Sequence, residues 1–243
     1  MKFRLGVGLV AAVAAAALFT GCSSEPSSPG GSGATGGSDG GQDAAALVQQ
    51  SADAMKGVKS LHFVLAAEGK VPNLKVSKVE ADVTNTPTPQ GTGTATVSIG
   101  GGNTTETKIV FVDGHLYSDV AEAGKFVDYG DGNSIYNISV LLDPQKGLAN
   151  AISTLKDPKS AGSEDVNGVK TTKITGTSST KDVAIIAGSR VAPEKERTVP
   201  VTVWIADGDP HYLVQAQIEP IPGTTVTLTL SEFGKPVTAT KPV

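Results

Sequence analysis

From about residue 43 onward the chain is dominated by short stretches in which apolar and polar residues strictly alternate. Ala95, Val97 and Ile99 alternate with Thr94, Thr96 and Ser98; Val226, Leu228 and Leu230 alternate with Thr227 and Thr229; Val214, Ala216 and Ile218 alternate with Gln215 and Gln217. A period of two with one apolar side predicts strands of a sheet that is wet on one face and covered on the other. Thr is frequent on the polar side, where a β-branched side chain suits a pleated, water-facing surface. Asp113-Gly114 and Asn167-Gly168 fall between such stretches. Both dipeptides predict two-residue hairpins, because a type I′ turn needs positive φ at two successive positions. Gly100 to Asn103 and Asp207 to Pro210 predict looser hairpin connections. Successive hairpins make an antiparallel meander, here of ten or eleven strands.

Helical signals are fewer. The first helix is predicted from about Ala44 to Val58 behind an Asp43 cap, with Leu47, Ser51, Met55 and Val58 on one side and Ala54 beside them. A second follows Asp143-Pro144, where Asp caps, Pro takes the first helical position, and Leu148, Ile152 and Leu155 form the apolar stripe. A third starts at Ser179, with Asp182 completing a Ser-x-x-acid start before Val183, Ile185 and Ile186. Large sheets curl or split. A curled half-barrel with helices laid inside it leaves an apolar cavity wherever helix and sheet do not mesh; a conventional core leaves none. Alternation fixes which face is apolar and leaves both packings open.

The N-terminus carries a different pattern. Lys2 and Arg4 are followed by an apolar run from Leu5 to Phe19, then Thr20-Gly21-Cys22. That run has the length of a signal peptide and is short of the roughly 20 apolar residues that span a bilayer. Cys22 is the sole cysteine, so it forms no internal disulfide, and its place marks it as the acceptor of a lipid anchor. Phe19 stands where a lipobox usually has Leu. Residues 23–42 are Gly- and Ser-rich with Ala34 as the only aliphatic side chain, too little to offset ordering entropy. A tether of this composition spans roughly 25 Å. The expected organisation is a signal peptide (1–21), a lipidated Cys22 with its tether (22–42) and one domain (43–243), held on the extracytoplasmic side of the cell membrane or found in a cell-wall or secreted fraction.

Charge narrows the partners. The chain has 20 basic and 24 acidic residues; loss of Lys2 and Arg4 leaves 18 against 24, a net −6. With no basic block, nucleic acid is not an expected partner, and attachment to a membrane would rest on the covalent lipid. Catalytic patterns are weak. His62, His115 and His211 are scattered without metal-ligand spacing. There is no Gly-x-Ser-x-Gly elbow and no P-loop. Asp128, Asp131 and Asn133 fail the calcium-loop spacing and read as a turn cluster. Trp204, on the Thr202 side of its strand, is expected beneath a loop, with a place shielding an edge or at a cavity rim as the other readings. No enzyme, cofactor or metal is expected. A surface adhesin with a filled core is the alternative, and a hydrolase with dispersed catalytic groups is a weaker one.

Three segments carry a family resemblance: VDGHLYSD (residues 112–119), SIYNISVLLDPQKGLAN (134–150) and VTLTLSEFGKPVTATKPV (226–243). They resemble the mycobacterial LppX/LprA/LprF/LprG lipoproteins, and the likeness runs from about residue 43 to the C-terminus. The resemblance implies an α+β fold: a large curled antiparallel sheet, a LolA/LolB-like half-barrel, with a few helices against its concave apolar face. It implies an apolar pocket for acylated lipids or glycolipids, such as phosphatidylinositol mannosides, carried by a monomer within the cell envelope. It also implies recognition of the acylated N-terminus by host Toll-like receptor 2. Under that reading the inward residues Ala95, Val97, Ile99, Leu148, Ile152, Val226, Leu228 and Leu230, with Leu141 and Leu142 near a helix entry, are the candidate cavity lining.

Overall fold

The computed structural model describes residues 39–69, 76–100, 103–134, 138–187 and 196–243. The expected signal peptide, Cys22 and the tether up to residue 38 lie outside the described residues. Eleven strands form one sheet: β1 (Ser60–Glu68), β2 (Val76–Thr84), β3 (Gln90–Gly100), β4 (Asn103–Val112), β5 (His115–Ser118), β6 (Val127–Asp131), β7 (Lys156–Val166), β8 (Val169–Ser179), β9 (Thr198–Ala206), β10 (Leu213–Ile218) and β11 (Thr225–Ser231). Four helices accompany them among the described residues: α1 (Asp39–Lys56), α2 (Ile138–Leu141), α3 (Leu148–Ser153) and α4 (Ala184–Ala187). The spatial order is β6-β5-β4-β3-β2-β1-β11-β10-β9-β8-β7, every pair antiparallel. Two meanders are thus joined where β1 pairs with β11. The sheet curls without closing, leaving β6 and β7 as its edges.

Hairpin chemistry explains the connections. Asp113 and Gly114 have φ of 54° and 79°, and Asn167 and Gly168 have 52° and 83°, the consecutive left-handed pairs that type I′ turns demand. Residues 207–210 connect β9 to β10, closed by the Ala206 amide donating to the Tyr212 carbonyl at 2.9 Å.

One face of the sheet is mainly apolar. On β1 and β11 the pairs Phe63–Leu230 and Leu65–Leu228 face inward, while His62–Ser231 and Val64–Thr229 face outward. Val199, Val201, Val203 and Ile205 of β9 continue the inner face. The predicted inward set on β10 is corrected at one position. A bulge between Leu213 and Gln215 makes Leu213, not Val214, the core residue, since an inserted residue flips the face of those beyond it.

The helices depart from expectation in detail. α1 begins at Asp39, inside the segment assigned to the tether, so Asp43 lies within its N-terminal turns, where the helix dipole favours acids, and does not cap it. Its buried stripe is Ala44, Val48, Ser51, Ala52 and Met55, which includes Ser51 and Met55 of the predicted set; Val58, just past the helix, is buried too, and Leu47 packs at the margin. Asp143 does cap a turn, its Oδ1 accepting the Gln145 and Lys146 amides at 2.7 and 2.9 Å, but α3 starts later, at Leu148, behind Gly147. A β-carbon on Gly147 would meet the Val140, Leu141 and Asp143 carbonyls, so the approach of this turn to α2 requires glycine. The Ser179 start forms as predicted: Ser179 Oγ accepts the Asp182 amide at 3.1 Å and lies 2.8 Å from Asp182 Oδ2.

Trp204 is not under a loop. It is buried on the outer face, its Nε1 donating to Glu164 Oε2 at 2.7 Å while the Lys173 ammonium sits 5.2 Å above the ring and donates to Glu164 Oε1 at 2.8 Å. Hydrogen bonds from Lys173 and Trp204 hold the Glu164 carboxyl below the usual carboxylate range. This contact lets edge strand β7 cover an aromatic ring on β9.

Candidate functional site

The inner face divides into two parts. Around β8–β11 and β1 it is sealed. α1 packs on α3, β7, β9 and β10, and α4 packs on α3 and β11. Leu141, Leu142, Leu148, Ile152, Val226, Leu228 and Leu230 all enter this one apolar cluster, with Val48 and Met55 of α1 and Val183 and Ile186 beside α4. The structure therefore brings together seven of the ten candidate residues, and packs them as a core.

The rest lies on β2–β4, where Ala81, Val83 and Phe111 still belong to the core cluster and Val79 packs against it. Its inward residues follow the register: Val79, Ala81 and Val83 on β2 face Ala95, Gly93 and Gly91 on β3, which face Thr107, Ile109 and Phe111 on β4. Glycine and alanine occupy its centre, and Gly93 lies tight against β2, where a β-carbon would meet the Glu80 carbonyl and Ala81. Val79, Val97 and Ile109 are only half-buried, and Ala95 is buried yet outside the main cluster. The short α2 reaches β2 and β3. Ala95 with half-buried Val97 and Ile109 leaves a shallow apolar trough at this end of the inner face, outside the core cluster. Ala95 and Val97 line it; Ile99 lies at the far end of β3, where only the backbone is described. Sequence reasoning missed Gly91 and Gly93, although the alternation Gly91, Gly93, Ala95, Val97 extends the pattern it used.

The trough ends at β4 and β5 in a buried polar cluster. Thr107 Oγ1 lies 2.6 Å from Ser118 Oγ and donates to Asp119 Oδ1 at 2.8 Å. Asp119 also accepts the Gly124 amide at 2.9 Å and the Lys108 amide at 2.7 Å. The Gly124 amide, the Thr107 hydroxyl and the Lys108 amide hold its carboxyl below the usual range. Stabilisation from Asp119 is then complete above the pH at which the unfolded aspartate ionises, about 4, and is lost as the pH falls through the lower folded value. Asp119→Ala is expected to cost about 3 kcal/mol at neutral pH, since three donors lose a charged acceptor. Urea denaturation at pH 7 and pH 3 checks this: the difference between parent and variant should shrink at pH 3, other lowered carboxylates such as Glu164 supplying the rest of the acid dependence.

Two buried hydroxyls, Ser51 on α1 and Ser178 on β8, have no hydrogen-bond partner among the described residues. The histidines are surface features. His115 Nδ1 is 3.0 Å from Asp128 Oδ2, and His211 Nδ1 is 2.9 Å from the Ala206 carbonyl. In the DYGDGN segment Asp128 and Asp131 accept amides two residues ahead, from Gly130 and Asn133, as a turn cluster does. No helix among the described residues is long and apolar enough to cross a membrane.

Comparison with known proteins places this geometry. Lipoprotein LprA of Mycobacterium tuberculosis is 50% identical over 223 residues, covering 92% of this chain and 91% of that one. The lipoarabinomannan carrier protein LprG of Mycolicibacterium hassiacum is 40% identical over 245 residues, covering 100% and 99%. Among solved structures, LprF of Mycobacterium bovis superposes with a TM-score of 0.74 at 28% identity over 83% of this chain and 97% of that one. LppX of M. tuberculosis gives 0.63 at 26% over 84% and 100%. The LppX_LprAFG lipoprotein family model matches residues 43–239, the whole of the sheet and nearly all of α1–α4, and the chain belongs to that family.

Proposed function

We propose that this lipoprotein binds an acylated lipid or glycolipid on the inner face of its half-barrel and carries it within the cell envelope, anchored through a lipid on Cys22. The observation that carries the reading is the trough on β2–β4: an apolar surface floored by Gly91, Gly93 and Ala95 and rimmed by half-buried Val79, Val97 and Ile109. The name of the LprG relative, a lipoarabinomannan carrier, supports a glycosylated acyl lipid as cargo. Host Toll-like receptor 2 would then meet the acylated N-terminus rather than the domain.

The energetics suit a carrier. Each buried CH₂ contributes about 0.8 kcal/mol, so a sixteen-carbon chain needs about 12 kcal/mol of shielding to leave a bilayer. An apolar trough open on one side supplies part of that amount, so the cargo passes readily back to a membrane. The sealed part of the inner face keeps the sheet folded with or without cargo.

The test is the Cys22→Ala chain, purified under conditions that retain bound lipid, extracted and read by mass spectrometry. An acyl lipid in near-stoichiometric amount is expected. Val97→Phe should cut loading by about tenfold, a loss of about 1.4 kcal/mol, without changing the urea midpoint appreciably, because it fills the trough and spares the core. Empty parent protein, or equal loading of both, would point to the adhesin reading.

A further inference from the structure

His62, Asp82 and Glu232 meet on the convex face, on the opposite side of the sheet from the trough. His62 points outward from β1, and Asp82 is its cross-strand partner on β2. Glu232 follows Ser231, the last residue of β11, which pairs with His62 from the other side. One ligand atom from each of the three lies within 4.8 Å of the other two. His62 Nδ1 is 2.9 Å from Asp82 Oδ1, and the Glu80 carboxylate stands 4.0 Å from His62 Nε2.

We propose that this cluster is a binding site for a transition-metal dication of the zinc type, held by one imidazole and two carboxylates with water in the open position. The donor set decides the class of ion. An imidazole nitrogen with carboxylate oxygens suits Zn²⁺ and its neighbours, while Ca²⁺ and Mg²⁺ take oxygen ligands. The geometry is close to that required. Zn²⁺ bonds of about 2.0–2.2 Å in a tetrahedral site put ligand atoms about 3.3 Å apart. The His62–Asp82 pair has to open by a few tenths of an ångström, and Glu232 has to swing inward by about 1.5 Å at most, a side-chain rotation.

Charge favours the ion and also sets its competitor. Asp82, Glu232 and Glu80 bring three negative charges; Lys78 pairs with Glu80 at 2.8 Å and Lys235 with Glu232 at 2.6 Å. With a neutral imidazole the group is left one negative charge in excess. Lys235 holds Glu232 Oε2, so the metal displaces or shares that contact. The site also has a structural consequence. Glu232, at a φ of 51°, opens the C-terminal tail, which crosses the convex face through the Gly234 amide to the Ser60 carbonyl and the Ala239 amide to Gln90 Oε1, each 2.9 Å. A bound ion fastens the root of this tail to β1 and β2.

The experiment uses the full chain, without an affinity tag, in detergent and stripped of metal by a chelator. It is titrated with ZnCl₂ alone against a colorimetric zinc indicator, and thermal midpoints are recorded with and without ZnCl₂. One Zn²⁺ per chain and a raised midpoint are expected for the parent. His62→Gln and Asp82→Asn should each weaken binding by about tenfold to a hundredfold, the range seen even when a metal site loses an outer partner. Lys235→Met should tighten binding, because it removes the competitor for Glu232 and leaves all three ligands in place. CaCl₂ should leave the midpoint where it was. Equal Zn²⁺ affinity in the parent and His62→Gln overturns the proposal, as does weaker binding in Lys235→Met, an arm that stands even where a ligand variant does not fold.

Discussion

Alanine at Gly93 is expected to destabilise the domain by about 3 kcal/mol, the upper end of what overpacking costs. A β-carbon there would meet the Glu80 carbonyl oxygen and stand 2.6 Å from both Cα and Cβ of Ala81. Those are mostly backbone atoms of the paired strand, so no rotamer change relieves the clash; β2 and β3 must separate. Gly114→Ala provides the contrast. Gly114 has a φ of 79° and open space around its added carbon, so only the conformational term remains, about 1–2 kcal/mol. Urea denaturation with circular dichroism reads both. Equal costs for the two variants would mean that β2 and β3 do not approach as closely as the register shows. Because Gly93 is also the middle of the trough floor, its alanine variant is expected to lose lipid loading together with stability, unlike Val97→Phe.

Leu228→Ala is expected to cost about 3–4 kcal/mol, a large part of the 5–15 kcal/mol that holds an ordinary domain together. Leu228 is fully buried at the middle of β11, with Leu65 across one ladder and Ala216 across the other. α4 packs on the same strand. Elements on both sides are fixed by their own pairings, so the cavity left by the truncation collapses only in part. A drop in the urea midpoint with an unchanged slope checks the value. A cost below about 1 kcal/mol would show that this part of the inner face is loosely filled and would move the cargo site from β2–β4 to β11.

Most of the fold was legible because its signals are local. The period-two runs, the Asp113-Gly114 and Asn167-Gly168 turns and the Ser179–Asp182 start each depend on residues a few positions apart, and each formed. The errors arose where distant packing decided. Val214 satisfies the alternation on paper, but the bulge on β10 is set by its pairing with β9. Trp204 owes its burial to Glu164, forty residues away. Among candidate lining residues, periodicity identified inward positions without distinguishing those that helices seal, such as Leu148 and Val226, from those left half-open, such as Val97. Helix placement on the sheet makes that distinction, and it is a tertiary property. The His62 cluster was invisible for the same reason, because its three residues come from three separate parts of the chain.

The junction of β1 with β11 has a consequence for biogenesis. Glu68 and Thr225 face each other across it, so the middle of the sheet is the last thing a vectorially emerging chain can complete. Until residues 225–231 have emerged, the first meander has an open flank along β1. Such long-range closure is slow to form. A chain that emerges from its N-terminus is therefore kept pliable until its last strand is free, and only then does the domain lock.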